Sequence, residues 1–224
     1  MKMLQCAMFD LDGTLFDTSE GIKMCYRKGL EHFGICVEDD RELDKVIGPS
    51  LYHSYSRFFG LEGEQVTQAV GIYRELYGSE GIYMIRMFDG VEKLLNTLKQ
   101  NGFTICLTTT KPYVMARKIL GFTGLDRYFD AVCGANLDGS MSDKLDLINE
   151  SLKQSGFTDR NRACMIGDRL YDVEGAKKAG VWSIGVTYGF GTREELEEAG
   201  ADFLADSPAE IGRLLLEGIT DQSR

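Results

Sequence analysis

The sequence predicts an α/β protein, a mainly parallel sheet with helices between its strands, interrupted early by a block of helices alone. Short apolar runs without clean alternation recur along the chain, as strands covered on both faces should. Segments of helical period separate them, and strand–helix alternation implies parallel pairing through right-handed crossovers. Residues 19–88 hold no convincing strand, although a single crossover helix needs far fewer residues.

The first strand, residues 4–9, runs straight into Asp10-Leu11-Asp12-Gly13-Thr14-Leu15-Phe16-Asp17. Residues two apart in a strand point the same way. Asp10 and Asp12 are therefore expected to look out over the strand end while Leu11 packs into the core. Gly13 lets the backbone turn there. Two unpaired carboxylates about 4 Å apart repel by roughly 4 kcal/mol at an effective dielectric near 20, so the pair calls for a cation. Helices follow at residues 20–33, 41–46, 51–59 and 64–77, punctuated by Gly34, Gly48-Pro49, Gly60 and Gly78. Strands are then expected at 104–108, 131–133, 163–166 and 182–186, with a weaker one at 203–205. Helices are expected at 91–101, 114–120, 144–155, 171–179, 193–199 and 208–217. The domain reading is an α/β core of residues 1–18 and 88–224, with a small helical cap of residues 19–87 inserted at the acidic turn. An insertion there would act as a lid, hinged near Thr18 and Phe88. The polar tail Thr220–Arg224 is expected to fray.

Composition narrows the function. The 224 residues are 43% hydrophobic, which allows a full core. A net charge of −10 argues against a nucleic-acid partner, and it leaves an anionic substrate to be drawn in by local cations. The longest uncharged stretch, residues 180–192, is short and glycine-rich, so no membrane span is expected. The opening residues before the first strand are too few for a signal-peptide core, and the expected location is cytoplasmic. Cys6, Cys106, Cys133 and Cys164 fall within expected strands, and none of the six cysteines forms a C-x-x-C pair. They read as small buried hydrophobes. His32 and His53 are too isolated for a histidine-based site.

Four motifs would converge beyond the carboxyl ends of the strands, where open α/β sheets bind ligands. Asp10 and Asp12 come first. Leu107-Thr108-Thr109-Thr110-Lys111-Pro112 follows, with hydroxyls and backbone N–H groups able to hold phosphate oxygens. Lys144 opens a helix after a polar loop. In Gly167-Asp168-Arg169-Leu170-Tyr171-Asp172, Asp168 ends a strand and Asp172 lies one helical turn on. Hard oxygen ligands without histidine suit Mg²⁺. Asp10 and Asp168 would bind it directly, and Asp172 would orient a metal-bound water. Asp10 would then serve as a nucleophile toward a phosphate ester, with Asp12 as acid and base. Thr109 and Lys144 would contact the transferring phosphoryl group.

In these motifs, taken in order across essentially the whole chain, the sequence resembles the haloacid dehalogenase superfamily, specifically its phosphatases with a helical cap. The resemblance implies a Rossmann-like core, an aspartyl-phosphate intermediate on Asp10, and Mg²⁺ held by Asp10, Asp168 and the backbone carbonyl of Asp12, with Asp172 as an outer acid. Ile47-Gly48-Pro49-Ser50-Leu51 and Tyr188-Gly189-Phe190-Gly191 look most like the phosphoglycolate phosphatase and 5′-nucleotidase-like branch. Thr110 stands where that pattern commonly has asparagine, and Asp89 where proline is frequent before Gly90. The expected substrate is a small phosphate ester, contacted by Thr110, Lys111 and Arg169 from the core and by Gly48, Ser50, His53 and Arg57 from the cap. The aromatics Tyr52, Tyr55, Phe58 and Phe59 read first as the cap's own core and second as a stacking wall. Inorganic pyrophosphatase activity is the alternative. A phosphosugar mutase or a non-catalytic binding module fits less well, and Asp12 argues against a dehalogenase.

Overall fold

The computed structural model describes residues 3–137 and 140–218; the tail Thr220–Arg224 lies outside the described residues. The chain forms two compact units, Met1–Phe16 with Met87–Arg224, and Asp17–Arg86.

Strand β1 (Cys6–Phe9) is followed by a two-residue strand β2 (Phe16–Asp17). Helices α1 (Ser19–Glu31), α2 (Leu51–Phe59) and α3 (Glu64–Ser79) then make up most of the smaller unit. Strand β3 (Arg86–Met87) pairs with β2 as a short ribbon. The larger unit continues through α4 (Val91–Gln100), β4 (Thr104–Pro112), α5 (Tyr113–Thr123), β5 (Ala131–Ala135) and α6 (Lys144–Ser155). It ends with β6 (Ala163–Gly167), α7 (Leu170–Ala179), β7 (Trp182–Val186), α8 (Arg193–Glu198), β8 (Phe203–Ala205) and α9 (Pro208–Glu217).

The main sheet has the order β5-β4-β1-β6-β7-β8, and every pairing in it is parallel. The α/β class read from the sequence is therefore the fold. The chain moves outward from β1 through β4 to β5, then returns to lay β6 on the other side of β1. That reversal is the switch point at which such sheets bind ligands. Register fixes what collects there. Phe9 pairs with Leu107 on one side and Ile166 on the other, and the Asp10 backbone N–H donates to the Ile166 carbonyl at 2.9 Å. Asp10, the threonine run and Asp168 thus emerge from three adjacent strand ends.

Beneath this edge, Cys6, Met8, Cys106, Ala163 and Met165 from the strands pack with Ile148 and Leu152 of α6 and with Ala176 and Ala179 of α7. The strand cysteines Cys6, Cys106, Cys133 and Cys164 are free thiols and are buried, in the apolar role expected of them. That core is what holds α6 and α7, whose first turns carry Lys144 and Asp172, against the sheet.

The smaller unit centres on Tyr26, whose ring lies 4.8 Å from that of Tyr55 and 5.0 Å from that of Tyr73. Tyr55 is fully buried, whereas Tyr52 is 47% exposed. The aromatic stretch of α2 is thus divided between core and surface.

The helix expected over residues 41–46 is present, as a 3₁₀ helix, Asp40–Val46. Its buried residues, Leu43 and Val46, are three apart, which matches three residues per turn, and Gly48-Pro49 stops any extension. Strand β4 runs on to Pro112 through a register shift between Thr109 and Pro112, where the reading had ended it at Thr108. The strands β2 and β3 were not foreseen, because two residues are too few to display a period.

Candidate active site

The site starts from the turn after β1. Gly13 has φ of 78°, a backbone conformation that side-chain-bearing residues rarely adopt, and a Cβ there would collide with the Asp168 carboxylate. Leu11 is buried, as the alternation predicts. Asp10 and Asp12 leave this turn in different company.

Asp10 joins Asp168 and Asp172. All three are buried, and each offers a carboxylate oxygen within 4.8 Å of the others'. Asp168 follows β6 directly. Asp172 sits in the first turn of α7, where it accepts a hydrogen bond from the Arg169 backbone N–H at 3.2 Å. An acid at that helix end is favoured by the helix dipole, but nothing in capping alone requires it to meet two other acids.

The Lys144 ammonium lies within this cluster. Lys144 opens α6, and its Nζ lies 3.1 Å from Asp10 Oδ1 and 2.7 Å from Asp172 Oδ1, while it donates to the Thr108 carbonyl at 3.1 Å. Helix α6 begins here because Asp143 caps it, accepting from the Leu145 backbone N–H at 2.8 Å. Helix α7 approaches closely because Gly175 has no side chain: a Cβ would sit 2.7 Å from Lys144 Cγ. Further along α6, Ser151 and Thr108 share a buried hydrogen bond of 2.7 Å, which fixes the helix to β4.

Burial and charge set the protonation of the cluster. Burial pushes Asp10 up to about 6, with the Lys144 ammonium partly offsetting it. Burial, followed by the Asp172 and Asp10 charges, pushes Asp168 up to about 8. For Lys144 burial acts downward, but Asp10 and Asp172 outweigh it and hold the ammonium well above the ordinary lysine range. Three carboxylates against one ammonium leave a net negative, oxygen-only, buried nest. That donor set fits a hard divalent cation.

Asp12 stands apart. Its carboxylate is 24% exposed and faces Lys111, whose Nζ donates to its two oxygens at 3.0 and 3.1 Å. The Asp12 side chain is therefore not among the cluster's three carboxylates; the part in holding a metal expected of Asp12 was that of its backbone carbonyl. Lys111, expected to contact substrate, is engaged with Asp12. Thr109 is buried, and its Oγ1 accepts from the Lys111 backbone N–H at 3.2 Å. Thr110 is exposed at the same strand end. Arg169 pairs with Glu195 at 2.8 Å, and Glu195 also accepts from the Leu170 backbone N–H.

Gly48, Ser50 and Arg57 belong to the smaller unit. Ser50 caps α2 by accepting from the His53 backbone N–H, Gly48 has φ of 110°, and Arg57 is exposed in the last turn of that helix.

Residues without an assigned role in the sequence reading complete the surroundings. Thr14 Oγ1 donates to Asp168 Oδ1 at 3.3 Å, and the Phe190 backbone N–H donates to Asp168 Oδ2 at 2.8 Å. The Tyr188 hydroxyl donates to the Thr14 carbonyl at 3.0 Å. Thr14 and residues 188–191 were visible as motifs, yet the sequence carried no sign that they meet.

Comparison with known proteins decides the family. Residues 7–186 match the family model described as haloacid dehalogenase-like hydrolase. The chain belongs to the haloacid dehalogenase-like hydrolases. A 5′-nucleotidase of Pseudomonas aeruginosa is 40% identical over 84% of this chain and 85% of its own. A tyrosine-protein kinase of Mycobacterium tuberculosis is 34% identical over 87% of this chain and 66% of its own. The crystal structure of a predicted phosphatase from Clostridium acetobutylicum is 41% identical and superposes with a TM-score of 0.90, covering 97% of this chain and all of that one. Family membership places the chain among hydrolases, and no helix among the described residues is long and apolar enough to cross a membrane.

Proposed function

We propose that this hydrolase is a Mg²⁺-dependent phosphatase of the cytoplasm that cleaves a small phosphate monoester. The observation that carries the reading is the position of Asp10: a buried carboxylate at the end of the central strand, paired with Lys144 and grouped with two further acids. Mg²⁺ would be held by Asp10 and Asp168, with Asp172 beside them, and when bound it supplies positive charge to offset the negative charge of an incoming phosphate dianion.

The chain's own groups account for the remaining chemistry. Lys144 Nζ keeps Asp10 ionised and aimed. An Asp10 oxygen attacks phosphorus, the ester P–O bond breaks, and the leaving oxygen takes a proton from Asp12. Water then attacks phosphorus, the bond to Asp10 breaks with its electron pair returning to the carboxylate, and Asp12 recovers a proton. Lys111, bonded to both Asp12 oxygens, keeps that carboxylate at the mouth of the site. Thr109 and Lys144 are the groups proposed to contact the phosphoryl oxygens, with Thr110, Lys111 and Arg169 toward the rest of the substrate.

The 40% identity to a 5′-nucleotidase supports testing nucleoside monophosphates first. Phosphoglycolate and pyrophosphate come next, on the resemblance of the motifs. The test is phosphate release across nucleoside monophosphates, sugar phosphates, phosphoglycolate and pyrophosphate, with Mg²⁺ and with EDTA. EDTA-sensitive release from at least one monoester is expected. A blank panel, or transfer of phosphate from ATP to a tyrosine peptide instead, refutes the phosphatase reading.

The acid cluster also makes stability depend on pH and metal. A carboxylate whose folded pKa is raised binds a proton in the native state that the unfolded chain has already lost. Stability of the metal-free protein therefore falls as pH rises from the ordinary carboxylate range toward 8, through the raised values near 6 for Asp10 and 8 for Asp168. A cation replaces those protons, so it binds more tightly at pH 8 than at pH 6. Mg²⁺ at about 100 times its Kd contributes about 2.7 kcal/mol, or roughly 5–10 °C in Tm for a chain of this size. Thermal melts with Mg²⁺ and with EDTA are expected to separate by that margin at pH 8 and by less at pH 6. Superimposed melts at pH 8 count against the metal site.

A further inference from the structure

Asp168 accepts one hydrogen bond on each carboxylate oxygen, and the two donors come from separate parts of the chain. Thr14 Oγ1 holds Oδ1 from the turn after β1, and the Phe190 backbone N–H holds Oδ2 from the segment after β7. Both segments press on Asp168: a Cβ on Gly13 would strike its carboxylate, and a Cβ on Gly189 would strike both its side chain and the Gly13 carbonyl. Among the described residues a side-chain bond links these two segments. The half-buried Tyr188 hydroxyl donates to the Thr14 carbonyl at 3.0 Å, while the Tyr188 ring packs edge-on against Phe88 at 4.9 Å.

We propose that Tyr188 is a positioning residue for the cation site, its hydroxyl locking together the two segments whose donors orient Asp168. This rests on the metal reading given under Proposed function. Fixed donors to a ligand carboxylate's remaining lone pairs hold it in the orientation a cation needs, and loss of such outer partners weakens metal binding. Thr14 and Phe190 are the fixed donors here. Without the Tyr188 hydroxyl, the turn and the segment 188–191 keep the close glycine approach and the ring packing on Phe88, whose backbone N–H donates to the Leu15 carbonyl, but they lose the directed bond that sets the two donors in one frame. No atom of Tyr188 needs to reach the cation.

The test measures Mg²⁺ affinity, not turnover. Calorimetric titration of Mg²⁺ into Tyr188→Phe, at a temperature where the apo protein is folded, is expected to give a Kd roughly tenfold weaker than that of the unaltered chain, the low end for loss of an outer partner. The Mg²⁺-induced rise in Tm should shrink with it. Phe88→Leu separates hydroxyl from packing, because it disturbs the ring and keeps the bond; its Kd is expected within about twofold of the unaltered value. Tyr188→Phe binding as tightly as the unaltered protein overturns this inference alone, and so does an equal loss in both variants. An unaltered chain that takes up no Mg²⁺ overturns the metal reading, and this inference falls with it. If Tyr188→Phe does not fold, Tyr188→Leu and Phe88→Leu are compared in the same way, and equal Kd values overturn the assignment.

Discussion

Asp10→Asn is expected to lower turnover at least 10³-fold while leaving the fold in place. An amide oxygen is a poor nucleophile, and no other carboxylate can take over. Asp168 and Asp172 are held in the same nest but leave from β6 and α7, and Asp12 faces Lys111. Losses of this order are usual when a covalent nucleophile is removed. The stability side of the substitution has the opposite sign. Asp10 is a buried acid whose desolvation outweighs its pairing with Lys144, so its pKa is raised. Replacing it with a neutral isostere removes a charge that burial disfavours, while Asp172 still pairs with Lys144. The metal-free variant is therefore expected to melt no lower than the unaltered chain at pH 8, where the lost charge cost most. Turnover and melting measured on one preparation decide the matter. Retained activity within about tenfold would remove Asp10 from the nucleophile role, and a large fall in Tm would mean that its contribution is structural.

The strand ends were legible because they depend on local rules. A run of apolar residues, an acid, and a glycine turn can be read one residue at a time, and at Asp168 the chain again sets an acid at the end of an apolar strand. The helical insertion was legible from a length that no single crossover explains. The partnerships that tune the site were not, because they join residues far apart in sequence through single bonds. Lys111 looked like a substrate contact in a threonine-rich strand end, and only the tertiary fold brings it to Asp12. The threonine run itself divides three ways: Thr108 bonds Ser151, Thr109 accepts from Lys111, and Thr110 is exposed. A register shift within β4 breaks the alternation that would have sorted them. Tyr188 and Thr14 lie 174 positions apart, and no periodicity reaches that far.

Lys144→Met is the second large effect, and it acts on stability and activity together. Among the described residues Lys144 is the ammonium paired with the nest, in contact with Asp10, Asp172 and the Thr108 carbonyl, and its side chain is 5% exposed. Methionine keeps the apolar stem that packs against Gly175 and removes the charge. Two buried carboxylates then lose their shared counter-charge. Breaking a buried pair on one side costs about 3–5 kcal/mol, or roughly 6–20 °C in Tm for a chain of this size. The pH dependence has a fixed direction. Protonation of Asp10, which burial pushes up to about 6, removes part of the uncompensated charge, so the deficit in Tm must be largest near pH 8 and shrink toward pH 5. Added Mg²⁺ should recover part of it by supplying positive charge to the same acids. Turnover is expected to fall at least 10²–10³-fold even with Mg²⁺ present, because a preorganised cation is lost where phosphoryl charge develops. Melts at pH 5 and pH 8, each with and without Mg²⁺, separate these contributions. A deficit that grows as pH falls would mean that Lys144 does not balance the acid cluster, and the charge argument for Asp10 would fail with it.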